Sequence, residues 1–165
     1  MSRELILAAL HKSLEAVTSP RFFQTERGFQ GELLVQLNKH LPTDLFASDT
    51  IIEQEYQKRR SLHGLSIRPD IIIHEPFNPE RHADRSEGNI AVVELKLNAT
   101  EIEAVADFNN LIAMIEILNY PLAVFINIAS SATHSDHIPI EGEDRIVAFA
   151  VYMNDGCTTI VRSDT

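Results

Sequence analysis

Arg68-Pro69-Asp70-Ile71-Ile72-Ile73 and, further along, Ile90-Ala91-Val92-Val93-Glu94-Leu95-Lys96-Leu97 are the two stretches on which the reading of this chain turns. Each is a β-branched, aliphatic string of the kind that forms a buried strand. The second string is interrupted by two opposite charges two residues apart. Side chains alternate faces along a strand, so Glu94 and Lys96 share a face, roughly 6–7 Å apart. Charges set into so apolar a run are costly unless they are paired, hydrogen-bonded or in contact with a metal. Asp70, Glu94 and Lys96 are therefore candidates for a functional site. Their bland alternative is a same-face ion pair on an edge strand, with Asp70 a turn residue after Pro69. Ile90–Leu97 is too apolar to sit comfortably at an edge.

Working outward, the flanking sequence supplies helices and further strands. Ile6, Leu10, Leu14 and Val17 recur at helical spacing and predict a helix over 3–17, ended by Ser19-Pro20. Phe29, Leu33 and Leu37 predict a second helix over 28–40. Residues 51–58 read as a strand, followed by a turn containing Gly64, the strand 70–74, a polar loop over 75–89 and the strand 90–97. Thr100 with Glu103 has capping-box spacing, and Val105, Phe108, Ile112, Ile115 and Leu118 carry a third helix over 100–119. A buried strand over 122–128, a polar loop over 129–144, a strand over 145–153 and a hairpin partner over 157–161 complete the chain. Strands, a crossover helix and another strand predict an α/β protein with a mixed central sheet flanked by helices.

Composition sets the wider bounds. Hydrophobic residues make up 44% of the 165 and charged residues 23%, enough for a single compact domain over 1–165. No run of 18 apolar residues predicts a membrane span, and the charged N-terminus does not read as a signal peptide. The lone Cys157 cannot form an internal disulfide, so a cytoplasmic protein is expected. Residues 1–70 balance 9 Lys+Arg against 9 Asp+Glu, whereas residues 71–165 carry 5 against 15 and hold the whole net charge of −10. That excess opposes non-specific adhesion to nucleic acid and to anionic membranes.

Pro69-Asp70, a gap of 23 residues and then Glu94-Leu95-Lys96 resemble the PD-(D/E)xK motif of the restriction-endonuclease-like nuclease superfamily. The element order over about 26–153 is similar to that superfamily's αβββαβ core, with an extra N-terminal helix. The resemblance implies a metal-dependent nuclease hydrolysing the phosphodiester bonds of DNA. Asp70 and Glu94 would hold Mg²⁺ (or Mn²⁺), with the carbonyl of Leu95 as a further ligand and Lys96 orienting the attacking water. It also implies an acid on the helix before the first strand, and Glu32 is the candidate. Mg²⁺ suits such a site because it takes one or two carboxylates and fills its remaining positions with waters and substrate phosphate.

A catalytically silent relative, acting as a binding or assembly module, is the second class, and the acidic C-terminal half favours it. Lys58, Arg59, Arg60 and Arg68 form the basic cluster for a phosphate backbone, or equally a solubilising hairpin tip. With so few cations the isolated chain should bind DNA weakly, and a protein partner or a homodimer could complete the surface. His134, Asp136 and His137 have metal-binding side chains, but their spacing matches no closed zinc site. Glu53 and Glu55 alternate with Ile52 and Tyr56 as one polar strand face.

Overall fold

The structure is a computed structural model that describes residues 3–42, 49–56 and 60–163, with Arg60 described in its backbone only. Its centre is a six-stranded mixed sheet in the order β1-β2-β3-β4-β5-β6. The strands are β1 (Ile51–Gln54), β2 (Ile71–His74), β3 (Asn89–Leu97), β4 (Ala123–Ile128), β5 (Ile146–Asn154) and β6 (Cys157–Arg162). β1, β2 and β3 form an antiparallel meander, β3, β4 and β5 run parallel, and β6 returns antiparallel as a hairpin with β5. The helices are α1 (Arg3–Glu15), α2 (Glu26–His40), the single-turn α3 (Arg60–His63) and α4 (Glu101–Leu118). Apart from the single turn α3 between β1 and β2, the order from α2 to β4 is αβββαβ, preceded by α1. No described helix is long and apolar enough to cross a membrane.

The alternation of side chains divides the core into two layers. Ile71, Ile73, Ala91, Val93, Leu95, Val124, Ile126, Val147 and Phe149 point to one face and pack on α1 and α2. Ile72, Val92, Ala123, Phe125 and Ala148 point to the other and pack on Phe108, Leu111, Met114 and Ile115 of α4. Glu94 and Lys96 share the parity of Val92, so they lie on the α4 face, where the apolar layer ends.

Helix entry is specified locally. The Thr25 hydroxyl accepts from the Gly28 N–H at 3.1 Å and caps α2. A Cβ at position 28 would stand 2.7 Å from that hydroxyl oxygen, so glycine is what lets the cap close. The cap starts α2 at Glu26, two residues before the periodicity alone predicts. α4 opens with the expected capping box between Thr100 and Glu103. Its buried stripe is Ala104, Asp107, Phe108, Leu111, Met114, Ile115 and Leu118, with Val105 and Ile112 only half-buried. In so apolar a helix the spacing alone fixes the stripe only to within about one position.

β1 is shorter than the expected 51–58. It ends at Gln54 because Glu55 turns to a left-handed φ of 49°. The polar loop after β2 is held by charge pairs: Arg81 bridges Asp49 and Glu75, and His82 lies 3.3 Å from Glu75. The segment before β5 carries two 3-10 turns, Ser135–His137 and Ile140–Gly142.

Candidate functional site

The antiparallel register pairs Ile71 with Val93, and one step further it sets Asp70 opposite Glu94. Opposite residues of an antiparallel pair project to the same face. The two carboxyl groups therefore project from directly opposed positions onto one face of the sheet. Two carboxylates set opposite one another repel unless a proton or a cation is taken up beside them.

The backbone fixes this pair from several sides. Asp70 Oδ2 accepts from the Leu95 N–H at 2.7 Å. The Asp70 carbonyl accepts from Gln30 Nε2 of α2 and from the Glu55 N–H, both at 2.8 Å. Glu26, in the first turn of α2, accepts from the Leu97 N–H at 3.1 Å. The N-terminus of α2 is thereby fastened to the start of β2 and the end of β3.

Charge at the site is unbalanced toward acid. Glu94 is 7% exposed. Burial, then the charges of Asp70 and Asp107, push its carboxyl well above the usual range. Asp70 is raised as well, mainly by burial, against the opposing pull of the Leu95 N–H. Burial alone would lower Lys96, but the surrounding carboxylates of Asp107, Glu26, Asp70 and Glu94 outweigh it and leave the ammonium raised. None of these acids forms a direct ion pair with it among the described residues. One half-buried ammonium is thus surrounded by the charge of four carboxyl groups, and among the described residues none of them takes up its donors.

Asp107 was not legible as a site residue from motif spacing. It projects from the second turn of α4 onto the Glu94–Lys96 face and is 9% exposed. Its Oδ2 is buried without a hydrogen-bond partner among the described residues. Burial pushes its carboxyl up to about 6, with Lys96 opposing and Asp70, Glu26 and Glu103 adding to the rise. The signal was present: position 107 falls on the buried stripe between Ala104 and Leu111, where an acid is out of place.

The apolar spacing predicts a helix that begins only at residue 28, so it gives no pointer to Glu26. The expected helix acid, Glu32, stands six residues along α2, about 9 Å of helix axis away from Glu26. Its Oε1 accepts from Gln36 Nε2 at 2.6 Å. Arg68 lies 3.9 Å from Glu55, while Lys58, Arg59 and the Arg60 side chain fall outside the described residues. His134 Nε2 contacts the Ala99 carbonyl at 3.0 Å, and His137 lies 3.6 Å from Glu101, so these histidines are engaged separately.

Among the described residues no three His, Cys, Asp or Glu side chains are grouped as a ready cage for an ion. The donor set suits a hard cation that brings its own waters. It consists of two carboxyl groups, one at the start of β2 and one within β3, that project to one face with surplus negative charge around them.

The sequence matches no protein-family model and no curated protein. Among solved structures the chain is similar to SfsA of Pyrococcus furiosus, in a complex with Ca²⁺, at a TM-score of 0.42 and 16% identity. The match covers 81% of this chain and 61% of that one, so this chain spans less than two thirds of that protein's length.

Proposed function

We propose that this chain is a divalent-cation-dependent nuclease that hydrolyses phosphodiester bonds of DNA. The observation that carries the reading is the placement of the Asp70 and Glu94 carboxyl groups at opposed positions of paired strands, with Lys96 on the same face and unpaired among the described residues. Asp70 and Glu94 would hold Mg²⁺ or Mn²⁺, with the Leu95 carbonyl as a further oxygen. When bound, such an ion polarises a phosphoryl oxygen and activates a water.

The chain's own groups divide the remaining work. The Leu95 N–H and Gln30 hold Asp70 in orientation. Lys96, whose donors no described residue takes up, orients a water and places positive charge where the transition state gains negative charge. Asp107 and Glu26 keep that lysine charged by facing it with carboxylates.

The test is cleavage of labelled single- and double-stranded DNA and RNA by the purified chain with Mg²⁺ or Mn²⁺. Lys96→Ala and Asp70→Asn serve as controls. Cleavage that needs the ion and disappears in both variants is expected. An ion that binds by calorimetry while every nucleic-acid form stays intact would overturn the enzymatic reading. It would favour a silent binding module, the alternative supported by the net −10 carried on residues 71–165.

A further inference from the structure

At the outer edge of the site two guanidinium groups bracket one carboxylate. Arg27 Nη2 of α2 lies 2.9 Å from Glu55 Oε1, and Arg68 Nη1 lies 3.9 Å from Glu55 Oε2. Both arginine side chains are largely exposed, at 84% and 59%. An open depression of about 430 Å³, lined by Arg27, Gly31, Gln54 and Glu55, lies beside them. Glu55 adjoins the carboxyl pair directly: its N–H donates to the Asp70 carbonyl, and its charge raises Asp70 further.

An exposed ion pair returns at most about 1 kcal/mol and is readily exchanged. A phosphate offers more oxygens than a carboxylate to a guanidinium fork and binds it with charge-assisted hydrogen bonds.

We infer that Arg27 and Arg68 form a subsite for a backbone phosphodiester of the nucleic-acid strand, next to the scissile position, and that the Glu55 carboxylate occupies it until the strand displaces it. The inference rests on the nuclease reading for its substrate class. It also supplies what a chain of net charge −10 needs in order to approach nucleic acid, a local pair of cations beside the acidic centre.

The experiment measures binding of a labelled single-stranded DNA oligonucleotide by fluorescence anisotropy in Mg²⁺. All proteins carry Lys96→Met, so the strand stays intact. Glu55→Gln, which frees both guanidinium groups, should tighten binding about 3- to 10-fold, the scale of one exposed charge pair. Glu116→Gln, an exposed acid on α4, controls for net charge and should leave binding nearly unchanged. Arg27→Gln with Arg68→Gln should weaken binding about tenfold and reduce the log–log salt slope by about 0.7, one phosphate's worth on a single strand.

A Glu55→Gln effect no larger than that of Glu116→Gln, or an unchanged salt slope in the double variant, overturns the subsite. So does a double variant that loses affinity for inorganic phosphate while binding the oligonucleotide as before, which would assign the pair to a free anion. Cleavage by protein with Lys96 intact separates the two readings. Cleavage without the Glu55 and arginine effects retains the nuclease and discards the subsite. The effects without cleavage retain a strand-binding surface and discard the nuclease.

Discussion

Replacing Asp107 by asparagine should make the ion-free protein more stable, by an amount that depends on pH in a defined direction. Burial chiefly, helped by Asp70, Glu26 and Glu103, pushes the Asp107 carboxyl up to about 6 from an ordinary 3.8. A gap of about two pH units corresponds to about 3 kcal/mol of penalty on the ionised folded state, at 1.36 kcal/mol per unit. The folded chain holds its proton more tightly than the unfolded chain does. As pH falls through about 6 the folded state is protonated first, and stability rises until both states are protonated near 4. Above 6 the full penalty is present. Asparagine has the same shape without the charge, although its amide meets the same lack of partners that Oδ2 has. The expected gain is therefore about 1–3 kcal/mol at pH 8, fading toward zero below about pH 4. Urea unfolding in chelator, for both proteins across that pH range, gives the difference directly, and an unchanged m-value certifies the comparison. An Asp107→Asn protein that is less stable at pH 8, or that differs from wild type equally at both ends of the range, would refute the electrostatic account. It would make Asp107 a structural hydrogen-bonding residue.

Two further substitutions probe the frame around the site. Asn127→Ala removes a fully buried amide whose Oδ1 accepts from the Ala99 N–H and whose Nδ2 donates to the Ala132 carbonyl, both at 2.8 Å. Leaving both backbone groups unpaired should cost about 2–4 kcal/mol, read as a lower urea midpoint, and a loss under about 0.5 kcal/mol would count against it. Gly88→Ala meets two obstacles at once, a φ of 84° and the Glu75 carbonyl oxygen 2.8 Å from the new Cβ. A loss of about 1–3 kcal/mol is expected in thermal or urea unfolding, and an unaffected variant would show that the loop turn relaxes freely.

The strands and long helices were legible because their signals are local. Ile71–His74 and Asn89–Leu97 announce themselves by β-branched runs, and Thr100 with Glu103 announces the start of α4. That Asp70 and Glu94 belong together was legible only through the motif resemblance; the register that opposes them, Ile71 with Val93, is a property of the sheet. What escaped depended on rotation and on caps. Glu26 belongs to α2 only because Thr25 closes the cap, a hydrogen bond no periodicity contains. Asp107 reaches the Lys96 face only because the α4 stripe is centred on Ala104, Phe108 and Leu111. Arg27 meets Glu55 across 28 residues of sequence, a proximity that belongs to the packing of α2 against the meander's edge.

The buried amide of Asn127 has a mechanical consequence for the rim of the site. Through its two hydrogen bonds, with His134 adding a third on Ala99, the turns following β3 and β4 are stitched to the centre of the sheet. That bank should move with the sheet as one body. On the opposite bank the backbone is held by Glu26 and Gln30 and by the Glu55 N–H, but the side chains of Arg27, Glu55 and Arg68 are joined by solvent-accessible ion pairs that exchange readily. Compliance is therefore one-sided and confined to side chains: a substrate that needs room would find the give in Arg27, Glu55 and Arg68, with the α4 wall as a fixed reference against which it is aligned.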